Sequence, residues 1–464
     1  MEKNVAYSLS VLLTLGNNPL ISAELPAPKA EKPNIIIIVA DDMGWGDTGY
    51  HGSKIKTPNI DRLSIEGIQL SRFYVAPVST PTRAGLLTGM YPNRFGVREN
   101  VIPPWRDFGL DPSSTTIAEF LKDQGYMNRA VIGKWHLGHS SPEYYPLNNG
   151  FTHFYGHLNG AIDYFTHERD GELDWHNDYK SSYDKGYSTD LLASEAIKCI
   201  RQYSGGGPFF MYVAFNAPHI PLQAKPEDLK IYRDPRSGIK DSLKQQYAAM
   251  VTCLDRNIGL IMDSLEELKI KDNTLLLFLS DNGADEGSGG GSSGELNGHK
   301  FLEYDGGVRT LAIINWPSGF KGGRTVTQLT GFTDIFPTIC EIVAPSGKTP
   351  HFDGISILKV LEGKSRQIDR LLYLGCGALV ENDWKIIKSG KNPRMKLSHD
   401  VLYNVVADPS EKNDLSSQRP DILKKLSDIV LTYDTIKPVK ELLPYEVGRE
   451  GFVPPHEWNI FEKN

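Results

Sequence analysis

The chain has 464 residues, enough for two or three folding units and for a core that can carry an enzyme site. Hydrophobic residues make up 40% and charged residues 23%, both ordinary for a soluble globular protein. The net charge of −7 excludes broad wrapping of nucleic acid, so any anionic ligand must be held by a local cluster.

In chain order, Lys3 precedes an apolar stretch, Val5 to Gly16, that is too short to span a bilayer. Small residues near Ala23 and a polar, Pro-rich spacer follow. This pattern predicts a signal peptide over 1–23 and an exported protein, periplasmic in a Gram-negative cell or secreted. No later stretch is long and apolar enough for a transmembrane helix. Cys199, Cys253, Cys340 and Cys376 are widely spaced without a CxxC pair, which argues against a zinc site and leaves buried thiols or one disulfide open.

"NIIIIVADD" (Asn34 to Asp42) is a continuous β-branched run, as expected of a strand buried on both faces of a parallel sheet. "RAVIGKWH" from Arg129, "PFFMYVAFNAPH" from Pro208 and "NTLLLFLSDNG" from Asn273 read the same way. Helical patterns separate them: Ser114 to Gly125, Ser188 to Tyr203 and Leu243 to Leu268. The alternation predicts an α/β layer fold. In "STPTRAGLLTG", Ser79 or Thr80 is the expected N-cap of a further helix, with Pro81 in its first turn and Gly89 as its stop.

Each of the four strands ends in chemically useful residues: Asp41 and Asp42, then Lys134 and His136, then Asn216 and His219, then Asp281 and Asn282. In an open parallel sheet the carboxyl ends lie on one edge, where ligands bind. Asp41, Asp42, Asp281 and Asn282 offer oxygen only, which favours Ca²⁺ or Mg²⁺ over zinc. Arg83, Lys134, His136, His219 and Lys300 add positive charge suited to sulfate or phosphate. Ser79 falls at a helix N-terminus, a natural place for an anion, and Arg83 lies one turn on.

Ser79-Thr80-Pro81-Thr82-Arg83 followed by Leu87-Thr88-Gly89 resembles the signature of the type I sulfatases. "ADDMGWGD", "GKWHLG", "APHIP", "SDNG" and "GHKFLEYDGGVR" resemble further motifs of that family in the expected order. "DGISILKVLEG" and "LYNVVADPSEKNDLS" resemble its C-terminal landmarks. The resemblance implies an alkaline phosphatase-like α/β large domain with a mainly parallel sheet between helices. A smaller α+β C-terminal domain with an antiparallel sheet follows from it too, giving domains 24–365 and 366–464.

The resemblance also implies chemistry. Ser79 is oxidised to formylglycine by an anaerobic-type maturase, unless the serine is an engineered replacement of cysteine. Asp41, Asp42, Asp281 and Asn282 match the calcium ligands, joined by the modified Ser79, with Mg²⁺ as the second choice. Arg83 and Lys134 hold the formylglycine hydrate and the sulfate. His136 is the base that breaks down the sulfated intermediate, while His219 and Lys300 flank the scissile oxygen.

The region Leu158 to Asp190 is similar in order to that of N-acetylgalactosamine-4-sulfatases, which makes Asp163, His167, Arg169 and Trp175 candidates for reading sugar hydroxyls and an adjacent uronate. A sulfated saccharide is the expected partner: a glycosaminoglycan, mucin or algal-type glycan. The Gly/Ser-rich stretch Gly283 to Lys300 is expected to be a mobile active-site loop. Asp305 to Arg309 is expected to be structural, with Arg309 in an ion pair. Two other classes stay open at this level, a phosphate or phosphonate monoester hydrolase that uses Ser79 directly and a non-catalytic binder of sulfated glycans.

Overall fold

Five consecutive β-branched residues, Ile35 to Val39, have no solvent exposure in the computed structural model, which describes residues 31–98 and 100–461. The expected signal segment 1–23 lies outside the described residues. The β-branched run is the heart of β1 (Asn34–Ala40). Ile35, Ile37 and Val39 join one core cluster, and Ile36, Ile38 and Ala40 join another. A strand whose alternate residues are both buried needs a helix layer on each side. Each buried isoleucine contributes about 2 kcal/mol of hydrophobic stabilisation.

The other strands of this sheet are β2 (Ile68–Leu70), β3 (Asn128–Lys134), β4 (His153–His157), β5 (His176–Asn177), β6 (Lys180–Ser181), β7 (Phe209–Ala214), β8 (Thr274–Ser280), β9 (Ala312–Asn315) and β10 (Arg324–Val326). The ten strands run in the order β10-β2-β9-β8-β1-β7-β3-β4-β5-β6. The central five, β8-β1-β7-β3-β4, are parallel, with Ile37 level with Tyr212 on one side and Leu277 on the other. Antiparallel strands flank them on both sides.

The helices that matter for the core are α1 (Pro58–Glu66), α2 (Ser79–Thr88), α3 (Ile117–Asp123), α4 (Ser188–Tyr203), α5 (Pro226–Arg233), α6 (Ser242–Glu267) and α7 (Ile335–Val343). Residues of α2, α3 and α7 pack on one face of the sheet, and residues of α1, α4, α5 and α6 on the other. In α4 the buried set Leu192, Ala193, Ala196, Cys199, Ile200 and Tyr203 follows the spacing of one helical stripe. Helix α3 is shorter than the sequence pattern suggested. Thr116 caps it by accepting from Glu119 N (3.2 Å), and the Glu119 carboxylate accepts from Thr116 N (2.8 Å).

A second, four-stranded antiparallel sheet follows: β11 (Leu371–Gly375), β12 (Ala378–Glu381), β13 (Trp384–Ile387) and β14 (Val401–Asn404). Helix α8 (Pro420–Asp434) lays Leu426 and Val430 into its core, which also takes in Tyr74, Tyr91 and Val308 from the larger part. Buried Lys385 of β13 pairs with Asp305 (2.7 Å) and Glu411 (2.8 Å), and Tyr74 donates to the other Asp305 oxygen (3.0 Å). Arg309 also approaches Asp305 (3.5 Å) and stacks on Trp45 at 4.7 Å.

Candidate active site

The parallel order brings four strand ends to one edge. Asp41 and Asp42 leave β1, and Asp281 and Asn282 leave its neighbour β8, with Asp281 N donating to Ala40 O (3.1 Å). Lys134 is the last residue of β3. Asn216 and His219 follow β7, and Asp41 N donates to Ala217 O (3.1 Å) in that loop. Asp42 (φ +68°) and His136 (φ +56°) both take left-handed backbone, which costs a non-glycine residue about 1 kcal/mol or more and marks a site where the chain is held against its preference.

The charged side chains interlock. Lys134 Nζ reaches Asp41 Oδ2 at 2.6 Å, Lys300 Nζ reaches Asp42 Oδ2 at 2.7 Å, and Arg83 Nη2 reaches Asp281 Oδ2 at 2.7 Å. Asn282 Nδ2 donates to Asp42 Oδ1 (2.7 Å). All are buried. Burial pushes the Asp41 carboxyl up to about 8; Lys134 opposes the shift, and Asp281 and Asp42 reinforce it. Burial acts the same way on Asp281, but Arg83 and Lys134 overcome it and hold that carboxyl well below the usual range.

Two oxygens remain. Asp41 Oδ1 and Asn282 Oδ1 are buried without a hydrogen-bond partner among the described residues. An unmet buried acceptor costs about 1–3 kcal/mol. Asp41, Asp42 and His219 also bring ligand atoms within 4.8 Å of one another. Crowded carboxylates beside an unmet carboxylate oxygen and an unmet amide oxygen are what a hard divalent cation satisfies, so the residues fit the metal that the sequence implies.

Ser79 is the first residue of α2 and not its cap, which corrects the sequence expectation; Val78 takes the N-cap place and makes no side-chain cap bond. Thr82 ties the turn instead, its Oγ1 accepting from Ala76 N (3.0 Å). Gly89 ends the helix as expected, at φ +70° with its N–H on Gly85 O. The Ser79 hydroxyl, left out of capping, accepts from Arg83 Nε (2.8 Å) and lies 3.3 Å from His136 Nδ1.

The tautomers follow from carbonyl partners, which can only accept. His136 Nε2 lies 3.2 Å from Ile102 O and so carries the hydrogen, leaving Nδ1 bare toward Ser79. Burial, with Lys134 and Arg83 nearby, holds His136 far below its ordinary pKa. His219 donates from Nδ1 to Ile220 O (2.6 Å), so its Nε2 is free, 3.5 Å from Asp42 Oδ2. Burial lowers His219 to about 4, against the pull of Asp42 and with Lys300 and Lys134 adding to the fall.

A cavity of about 300 Å³ opens above this group, and His136, His219 and Lys300 line it. Arg169 lines it too, but the other three candidate sugar contacts do not. Trp175 is fully buried, boxed by the rings of Tyr155 (5.2 Å) and His167 (4.5 Å). His167 is itself buried and bonded to Gly186 O. Asp163 accepts from Phe165 N, Thr166 N and Gln223 Nε2, so it shapes a turn. Trp175 and His167 are packing residues, because the aromatic run folds inward against β4 and β5, and the partly exposed Asp163 is taken up by its own turn.

The Gly/Ser stretch is also not a free loop. Buried Asp47 accepts from Ser292 N (3.0 Å), Gly44 N (2.8 Å) and Tyr247 OH (2.6 Å), and Gly46 N donates to Ser292 O (2.8 Å). A Cβ on Gly44 would meet Ser292 O at 2.2 Å, so glycine there permits the approach. Asp47 sits inside the first motif, where its acid among glycines was the available signal. Phe301 lines the cavity from inside the motif that bears Lys300, and Arg394 and Tyr445 line it without any local motif to announce them. The four cysteines are buried thiols, which settles the alternatives left open by their spacing.

The family model "Sulfatase" matches residues 33–344. Arylsulfatase J of Mus musculus is 32% identical over 451 aligned residues, covering 85% of this chain and 74% of that protein. N-acetylgalactosamine-6-O-sulfatase of Bacteroides thetaiotaomicron is 30% identical, covering 93% of this chain and all of its own. The crystal structure of Ps i-CgsB in complex with k-i-k-neocarrahexaose superposes with a TM-score of 0.79 at 31% identity, over 88% of this chain and 94% of that one. The architecture is the alkaline phosphatase-like one of these structures. No described helix is long and apolar enough to cross a membrane. With the family model spanning most of the chain, the protein belongs to the sulfatase family and is a sulfuric ester hydrolase.

Proposed function

We propose that this sulfatase removes sulfate from a saccharide of the N-acetylgalactosamine or galactose type, using Ser79 matured to formylglycine and a bound Ca²⁺. The observation that carries the reading is the Ser79 hydroxyl, held between Arg83 Nε at 2.8 Å and the bare Nδ1 of His136 at 3.3 Å, beside one carboxylate oxygen and one amide oxygen that no hydrogen bond satisfies among the described residues. The similarity to an N-acetylgalactosamine-6-O-sulfatase supports the sugar class and favours position 6 over the position 4 suggested by the Leu158 to Asp190 order.

Asp41, Asp42, Asp281, Asn282 and residue 79 would hold the calcium, which lowers the pKa of the attacking hydroxyl and offsets sulfate charge. Formylglycine as its hydrate supplies two hydroxyls on one carbon, one to attack sulfur and the other to expel sulfate. Arg83 and Lys134 orient residue 79 and the sulfate. His136 accepts a proton from residue 79 at Nδ1, its Nε2–H remaining on Ile102 O. His219 takes up a proton at Nε2 when the anionic substrate arrives, and delivers it to the leaving sugar oxygen beside Lys300. The polypeptide is exported, and its partner in maturation is an anaerobic-type, serine-oxidising enzyme.

Co-expression with such a maturase tests this. The expected product carries a residue-79 peptide lighter by two hydrogens and desulfates members of a panel of defined sulfated sugars. Ser79→Ala should lose about 10⁴-fold or more in kcat. A fully active enzyme with an unmodified serine would overturn the reading.

A further inference from the structure

Two arginines, Arg169 and Arg394, stand on the cavity wall in addition to the residues that would meet one sulfate. Lys300 pairs with Asp42, and Asp285, the acid of the cavity wall, is turned onto Ser288 Oγ (2.7 Å) and N (3.0 Å), which overcome burial and hold it ionised. Arg394 and Arg169 remain. Arg394 belongs to the loop between β13 and β14; it is exposed and makes no ion pair or side-chain hydrogen bond among the described residues. Its guanidinium lies over the Phe301 ring at 4.7 Å. Stacking occupies one face of the guanidinium plane and leaves its N–H edge for an anion.

The backbone that carries that arginine is anchored. Buried Asn392 donates to Phe301 O (2.8 Å) and to Glu303 Oε2 (2.7 Å), and its own Oδ1 accepts from Arg394 N (2.9 Å). Phe301 directly follows Lys300, and its N–H is bonded to Pro77 O (2.9 Å), two residues before Ser79. The second sheet therefore holds Arg394 against the segment that bears a candidate catalytic lysine. Arg169 comes from a separate hairpin, Glu168–Arg169 paired with Glu172–Leu173, whose backbone is tied by Trp458 Nε1 to Arg169 O (2.9 Å). Among the described residues its ion pair is with adjacent Asp170 through Nε (3.3 Å), short of hydrogen-bond geometry, and its two terminal nitrogens make no ion pair or hydrogen bond.

We propose that Arg394 and Arg169 form a subsite for a second anionic group, so that the preferred saccharide carries a carboxylate or a further sulfate near the ester that is cleaved. This rests on the sulfatase reading. Arg394 is a specificity residue here, acting on binding of the intact saccharide and not on the ester bond.

The test uses matured full-length enzyme and three substrates: N-acetylgalactosamine 6-sulfate, the same sugar linked to glucuronate, and the same sugar bearing a second sulfate. Wild type should prefer one or both dianionic substrates by about tenfold or more in kcat/KM, the worth of a charged hydrogen bond. Whichever of the two is preferred identifies the anion as carboxylate or sulfate. Arg394→Ala should bring the preference to within about twofold of unity, chiefly through KM, and Arg394→Lys should restore part of it. Arg236→Ala, which removes an exposed arginine outside the cavity, should leave the preference as in wild type. Equal turnover of all three substrates by wild type, or a preference that survives Arg394→Ala, overturns the subsite while the sulfatase reading stands. Failure to cleave any sulfate ester, a simple aryl sulfate included, overturns both.

Discussion

The two ends of the same parallel strands are both polar, and they are polar in different ways. At the amino ends, each group closes on a neighbour. Asn34 of β1 donates to Thr274 Oγ1 of β8 (3.3 Å), Arg129 of β3 donates to Gly150 O (2.7 Å) and Met127 O (3.0 Å), and His153 of β4 lies between Asp178 (2.9 Å) and Glu195 (3.0 Å). At the carboxyl ends, three carboxylates and their cations are packed out of reach of solvent, yet Asp41 Oδ1 and Asn282 Oδ1 have no hydrogen-bond donor among the described residues, and His136 Nδ1 and His219 Nε2 carry no hydrogen. Closed polar groups stabilise a fold. Open ones, buried at a cost, are where a ligand completes the bonding. Substitutions at the carboxyl ends should therefore act on chemistry, and those at the amino ends on stability.

After Ser79, the largest effect is expected at His219. A sugar alcohol is a poor leaving group and needs its proton in the transition state, whereas a nitrophenolate does not. His219→Ala should lower kcat on a sugar sulfate by about 10²–10⁴-fold and on nitrophenyl sulfate by about tenfold or less. The ratio between the two substrates is the measurement. Equal losses would assign His219 to positioning and would weaken the contrast between open and closed groups at this residue.

Next in size is Arg129, which is 5% exposed and has its guanidinium on backbone carbonyls at the entry to β3. Truncation strands those acceptors and removes the packed stem, so Arg129→Ala should cost about 2–4 kcal/mol in urea unfolding. Turnover per folded molecule should stay within about twofold of wild type. A large fall in kcat with stability intact would mean that the two ends are coupled.

The contrast also explains what could be read from the chain alone. Strands β1, β7 and β8 are buried on both faces, so their apolar runs are continuous and legible, and the residues that interrupt each run mark its carboxyl end. One register rule then gathers Asp41, Asp42, Lys134, His136, His219, Asp281 and Asn282 without further information. The stripe of α4 was legible for the same reason: its period matches the face it buries. The region around Trp175 was not. Mixed aromatic and charged residues suit an exposed sugar platform and an inward stack equally well, and only the pairing of β4 with β5 and the ring contact of His167 with Trp175 at 4.5 Å decide. Arg394 was invisible because it acts through Phe301, more than ninety residues earlier, across a contact that no local pattern encodes. The Gly/Ser stretch misled because composition reports backbone freedom in the unfolded chain and says nothing of Asp47, whose carboxylate gathers the stretch.

The smallest effect, and the one that most sharpens the comparison, concerns His153. Burial opposes its charge, but hydrogen bonds to Asp178, Cys199 and Glu195 push it up to about 11. For Asp178 and Glu195 burial also opposes the charged form, and the hydrogen bond from His153 nevertheless lowers both. A histidine whose pKa is raised on folding stabilises fully below its unfolded value of about 6.5 and loses that contribution as the pH climbs toward the folded value. The two carboxylates contribute above about 4.5 and lose their share as the pH falls. Between these limits the network is complete. Because Asp178 is half-exposed, the interaction is screened, and about 1 kcal/mol should disappear between pH 6.5 and 8.5. In His153→Gln the decline over that interval should flatten, while kcat for sulfate release stays within about twofold of wild type, since the change lies at the closed end of β4. Urea midpoints measured at several pH values on both proteins decide it. An unaltered slope in the variant would show that the charge of His153 plays no part in that decline, and a lost kcat would show that the amino end of the sheet also serves the site at its far edge.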